Sequence, residues 1–162
     1  EIVIDGGNEG KRIKFDYLFS YAKHVGDITI RNVDGDSVGA NIAEHGSAGN
    51  VTIENCNGDG VGAYIASDKG KAGNVTISNC NGDYVGRYIA DNGSAGDITI
   101  KNCGGRGVGA YTALEGSAES LVIENCSGEK LAEGIPYENI SGQVIINGKD
   151  MKGPNGGVNS NV

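Results

Sequence analysis

Gly49-Asn-Val-Thr-Ile-Glu-Asn-Cys-Asn-Gly-Asp-Gly-Val-Gly-Ala-Tyr-Ile-Ala66 is the stretch on which the fold of this chain turns. Val51 and Ile53 flank Thr52, so one face of an extended segment is apolar and the other polar. Asn57-Gly-Asp-Gly60 is turn chemistry, because Asn, Asp and Gly tolerate the left-handed backbone a tight bend needs. A second strand is expected over Val61 to Ala66, with Val61 and Ile65 inward; the charged Arg87 and Glu133 at the Ala63 position leave the direction of the Tyr64 ladder open. A looser third side runs from Ser67 to Ala72.

The triplet at Val51 recurs outward in both directions. Ile2-Val3-Ile4, Ile28-Thr29-Ile30, Val51-Thr52-Ile53, Val75-Thr76-Ile77, Ile98-Thr99-Ile100, Leu121-Val122-Ile123 and Val144-Ile145-Ile146 follow at offsets of 26, 23, 24, 23, 23 and 23 residues. A fixed period means stacked units that share one core. The expected fold is all-β: a right-handed parallel β-helix of about seven rungs of 23–24 residues over residues 1–146. The right-handed form is preferred because the period exceeds the roughly 18 residues of a coil built from hexapeptides. At about 4.8 Å per rung the column is about 30 Å tall.

Stacking aligns equivalent positions into ladders. Asn32, Asn55, Asn79, Asn102 and Asn125 form one, expected at a left-handed bend. Val33, Cys56, Cys80, Cys103 and Cys126 form the next, read as buried reduced thiols, since a packing position accepts Val and a disulfide position does not. With no Cys-x-x-Cys, and with His24 and His45 on other parts of their coils, zinc is not expected. The first coil, residues 1–26, is atypical. Phe15-Asp-Tyr-Leu-Phe-Ser-Tyr-Ala-Lys-His-Val25 reads as a cap for the N-terminal end, and residues 147–162 as a Gly- and Asn-rich tail.

Composition agrees with a narrow core. The chain has 29 Gly but only two Phe and no Trp, too little bulk for a wide layered interior. A formal net charge of -8 argues against nucleic acid as a partner. The absence of an 18-residue apolar run argues against membrane insertion. A chain that starts at Glu1 reads as either processed or trimmed, and processing would place it outside the cell or on its surface.

The unit I-x-N-C-x-G-D-x-V-G-x-Y-I-A resembles the parallel β-helix repeats of the pectate-lyase-like superfamily over residues 26 to about 146. Asn79-Cys-Asn-Gly-Asp-Tyr-Val-Gly-Arg-Tyr-Ile-Ala-Asp-Asn-Gly93 is similar to one coil of the small family-3 pectate lyases. That resemblance implies calcium-binding acids after a Val-Gly pair, where this chain has Ala63 and Tyr64. It also implies a basic residue and an Arg three positions apart, where this chain has Arg87 and Ala90. The architecture carries over and the catalytic set does not.

Three features are candidates for function. Asp36, Asp59 and Asp83 stack on successive rungs, and calcium is the cofactor such acids would take with turn carbonyls; turn formation alone also explains them. Tyr64, Tyr88 and Tyr111, with Arg87 beside them, form an aromatic ladder; if Val61 and Ile65 face inward it faces outward, for polysaccharide or a second subunit, or as a simple stack on a solvated face. Ile2, Val3, Ile4 and Val144, Ile145, Ile146 form the two end strands, which read as uncapped and able to pair end to end with other copies. The Thr29, Thr52, Thr76 and Thr99 ladder lacks a second Thr row, so an ice-binding face is not expected. No repeat after the first departs from 23 or 24 residues, so no long loop walls a cleft. The expected function is an extracellular structural protein that self-assembles as a filament, sheath or surface layer, or serves as an adhesin. The alternative is a polysaccharide-binding or lyase-like β-helix.

Overall fold

The computed structural model describes residues 1–7, 11–12 and 22–153. The segment from Phe15 to Tyr21, expected to cap the first coil, and residues 154–162 of the tail lie outside the described residues.

The triplets become strands because their β-branched residues alternate toward one core. β1 (Ile2–Asp5), β3 (Ile28–Arg31), β5 (Val51–Glu54), β6 (Val75–Ser78), β7 (Ser94–Lys101), β8 (Ser117–Glu124) and β9 (Val144–Ile146) lie parallel in one sheet. The short strands β2 (Lys11–Arg12) and β4 (Val33–Asp34) pair separately, also parallel. The register runs Ile2, Ile28, Val51, Val75, Ile98, Leu121, Val144 without a slip. Each step between neighbouring strands is one full turn of chain. The molecule is a β-solenoid with seven rungs on this wall. From β3 to β8 the inward residues, Ile28 to Leu121 and Ile30 to Ile123, are buried, while Thr29, Thr52, Thr76 and Thr99 stay half-buried on the outer face.

The opposite wall corrects the expectation of a second strand. Val61 to Ala66 is a run of turns, as are its counterparts in the neighbouring coils. In segments 37–43, 60–66, 84–90 and 107–113 every second residue has φ between +54° and +72°. The peptide planes flip in alternation. The Gly62 N–H donates down to the Val38 carbonyl (2.8 Å), the Tyr64 N–H up to Arg87 (2.8 Å), and the Ala66 N–H down to Ile42 (2.8 Å). Backbone bonds between coils are thus kept without extended geometry. Val61 and Ile65 are fully buried, as expected, and the structure settles the direction of the ladder, with Tyr64 outward and 40% exposed. Glycine recurs at Gly39, Gly62, Gly86 and Gly109 for two reasons. The backbone there is left-handed, and a Cβ on Gly62 would stand 2.5 Å from Ile77 Cδ1 across the core.

The C-terminal end corrects a second expectation. Val144, Ile145 and Ile146 are not an open edge. The chain reverses at Asn147-Gly148 (φ 45° and 80°), and β10 (Lys149–Asp150) returns antiparallel along β9. Two central residues with positive φ make the hairpin turn that matches strand twist. The Met151 N–H then reaches the Val144 carbonyl at 2.8 Å, and its side chain is buried. The sheet ends on a two-residue strand bearing Lys149 and Asp150, both exposed. At the other end β1 pairs only with β3 among the described strands, with Ile2 37% and Val3 52% exposed.

Candidate functional site

The turn wall brings Tyr64, Tyr88, Tyr111, Tyr84 and Arg87 together. Each of Tyr64, Tyr88 and Tyr111 is left-handed (φ 57° to 59°), which aims its ring outward one rung above the last. The rings stack on one another: Tyr64 to Tyr88 at 5.0 Å and 16°, Tyr88 to Tyr111 at 5.1 Å and 14°. This is ring stacking between rungs. Most ring faces are used within the stack, so the ladder is not a flat platform of exposed faces. Its upper end is closed as well, since a Cβ on Gly134 would stand 2.5 Å from Tyr111 Cε1, so that glycine backbone packs on the ring. Below Tyr64 the ladder carries Asn41 in place of a ring. Tyr64 is the most exposed of the three.

Arg87 stands where three other coils have the buried Ala40, Ala63 and Ala110 and a fourth has Glu133. Its long side chain folds over the rings, with the guanidinium carbon 4.7 Å from the Tyr84 centroid, 4.6 Å from Tyr88 and 5.0 Å from Tyr111. A guanidinium over aromatic faces is attracted by the ring quadrupoles. One Nη donates to the Tyr88 hydroxyl at 3.2 Å, whereas the buried Nε has no hydrogen-bond partner among the described residues. Burial, and then the neighbouring Tyr88, push the Tyr64 hydroxyl above its ordinary range, so it remains a neutral donor at physiological pH.

Beside this cluster lies a cavity of about 400 Å³ whose rim includes Ser37, Asn41, Glu44, Tyr64, Tyr84 and Arg87. It combines aromatic surface with a hydroxyl, an amide, a carboxylate and a guanidinium. A larger groove, about 560 Å³, runs past Gly73, Asn74, Gly96 and Glu119, but it has no aromatic wall.

The other candidates fall into structural roles. Asp36 Oδ1 accepts the Asp59 N–H (3.3 Å), Asp59 Oδ1 the Asp83 N–H (2.9 Å), and Asp83 Oδ1 the Arg106 N–H (2.9 Å). One oxygen of each acid therefore ties its coil to the next. No group of three or more His, Cys, Asp or Glu side chains among the described residues is placed to hold a metal ion. A parallel set, Asp27, Asn50 and Asn74, does the same on another bend through 2.7 to 3.0 Å bonds. Its signal is the polar residue directly before each strand. The Asn ladder is left-handed throughout, with φ 52° to 57°. Cys56, Cys80, Cys103 and Cys126 are free and buried. Cys80 is held above the ordinary thiol range by hydrogen bonds with the Cys103 and Cys56 thiols and by burial.

No protein-family model, curated protein or solved structure matches this chain. No helix among the described residues is long and apolar enough to cross a membrane.

Proposed function

We propose that this chain is a structural β-solenoid module of the cell surface that binds polysaccharide at the Tyr64 cavity. The observation that carries the reading is the open end of the tyrosine stack. A pyranose has one face of C–H bonds that packs on an aromatic ring and a rim of hydroxyls that needs donors and acceptors. Tyr64 supplies the ring. Asn41 and Ser37 can donate and accept, Glu44 accepts, and Arg87 donates.

The test is a binding panel of neutral and acidic polysaccharides by affinity electrophoresis and calorimetry. Tyr64→Ala should weaken binding at least tenfold, and Thr76→Ala, on the opposite wall, should leave it unchanged. Tyr64→Ala binding as tightly as the parent would overturn the assignment.

End-to-end association is a second reading, favoured by one observation: Ile2 and Val3 are exposed on an edge strand. It concerns the β1 end only, because β10 covers β9.

A further inference from the structure

One corner of the solenoid demands glycine for want of space. Gly46, Gly70, Gly93 and Gly116 recur there in successive coils, and a Cβ on any of them would stand 1.8 to 2.0 Å from a carbonyl oxygen of the preceding coil. The residue before each is under no such demand and changes from coil to coil: His45, Lys69, Asn92 and Glu115. Only Gly93 therefore follows an Asn. Asn is a thermolabile residue. Before Gly it is most reactive, because glycine has no side chain to shield its main-chain nitrogen from the Asn amide carbon.

Reaction needs a side-chain amide and a following N–H that are free to approach each other. Four Asn-Gly pairs lie among the described residues, and three are restrained. Asn57 Nδ2 donates to Asp34 Oδ1 (2.9 Å), and the Gly58 N–H to the Asn81 carbonyl (2.9 Å). Asn81 Nδ2 donates to Asn57 Oδ1 (3.4 Å), and the Gly82 N–H to the Gly104 carbonyl (3.0 Å). The Asn147 side chain accepts from the Cys126 N–H (3.1 Å) and donates to its carbonyl (2.9 Å). Asn92 differs. Its side chain is exposed and makes no hydrogen bond among the described residues. The Gly93 N–H reaches its acceptor, the Ala90 carbonyl, only at 3.4 Å.

We propose that Asn92 is a self-modification site, at which the folded chain converts an amide to a carboxylate without an enzyme. The Gly93 nitrogen attacks Asn92 Cγ. The new C–N bond closes a cyclic imide, the C–NH2 bond breaks, and the proton from Gly93 leaves with that nitrogen as ammonia. Water then opens the ring at either carbonyl and leaves aspartate or isoaspartate. Nothing is oxidised or reduced, and water is the only co-reactant. The product adds a negative charge to a cavity of about 350 Å³ whose rim already holds Asp68, Asp91 and Glu115. That cavity shares Glu44 and Tyr64 with the one beside Arg87, so the new charge lies next to the tyrosine ladder's open end.

The experiment holds the folded chain at mildly alkaline pH and maps its tryptic peptides by mass spectrometry over time, with circular dichroism following the fold. Cleavage at Arg87 and Lys101 puts Asn92 on a peptide that carries none of the other pairs. Ammonia should be released, and among the four pairs conversion should be confined to Asn92, giving both aspartate and isoaspartate. In urea all four should convert at similar rates, since the fold is what restrains the other three. Asn92→Gln lengthens an exposed side chain and disfavours ring closure, so it should fold normally and leave that peptide unconverted. Conversion of Asn57, Asn81 or Asn147 as fast as Asn92 in the folded chain would overturn the proposal. So would an Asn92 that stays intact in the folded chain, whether or not the unfolded chain reacts.

Discussion

At Gly86 two constraints meet: φ is +63°, and an added Cβ would lie 2.7 Å from Ile100 Cδ1. Gly86→Val imposes left-handed strain on a β-branched residue and overpacks the core, at a cost of about 3 kcal/mol. A urea titration should show the midpoint falling with the slope unchanged. Ile77→Asp is more severe, because a carboxylate at a fully buried position has no partner in this core. It should leave the chain largely unfolded by circular dichroism at neutral pH. Inward positions such as Val51, Ile53, Val61 and Ile65 are legible in the sequence, because a narrow core demands an apolar residue at the same place in each coil. The left-handed backbone of Tyr64, Ala66, Tyr88 and Ala90 is less so, since neither Tyr nor Ala favours it. The available signal is negative: the alternate positions of 60–66, 84–90 and 107–113 hold Gly, Tyr or Ala and never Val, Ile or Thr. The Tyr64 cavity is legible only in part. The ladder shows in the spacing, but whether its rings stack or expose their faces depends on the backbone turn beneath them.

Strands read easily and ends read poorly. A strand register repeated in six pairs is set by the period itself, whereas each end occurs once and has no copy to compare with. Asn147-Gly148 carries a hairpin signal that the tail's overall composition obscures. Gly148→Val should disfavour the turn, fray β10 and speed amide exchange along β9, while exchange in β5 and β6 stays slow. At the other end β1 depends on Asp5. Its carboxylate accepts from the Asn32 amide (3.0 Å), the Gly7 N–H (2.9 Å) and Arg31 Nε (2.8 Å), which lowers its pKa to about 2. A depressed carboxylate stabilises the folded form above its unfolded value, about 3.9. That contribution is lost as pH falls from about 4 through about 2. Amide exchange in β1 should therefore accelerate over that window, and Asp5→Asn should remove the pH dependence.

For the whole column the two ends are unequal, and this limits what it can build. Propagation head to tail needs an open strand at both ends, since a heterologous contact repeats only if each copy offers both halves. The β9 end is covered by β10, and its outermost residues are the charged Lys149 and Asp150, which discourage strand addition. The β1 end presents Ile2 and Val3 with no strand beyond them among the described residues. Two copies meeting there use the same surface, so association closes at a pair. We expect sedimentation to show the 16.6 kDa chain and, as concentration rises, a dimer and nothing larger. Each copy carries a formal charge of -8, so added salt should strengthen the dimer by screening repulsion. Val3→Lys puts a charge on the shared edge and should return the dimer to monomer. Ending the chain at Ile146 removes β10, opens the second edge and should permit longer species. Long polymers from the intact chain would refute this account, as would a dimer indifferent to Val3→Lys.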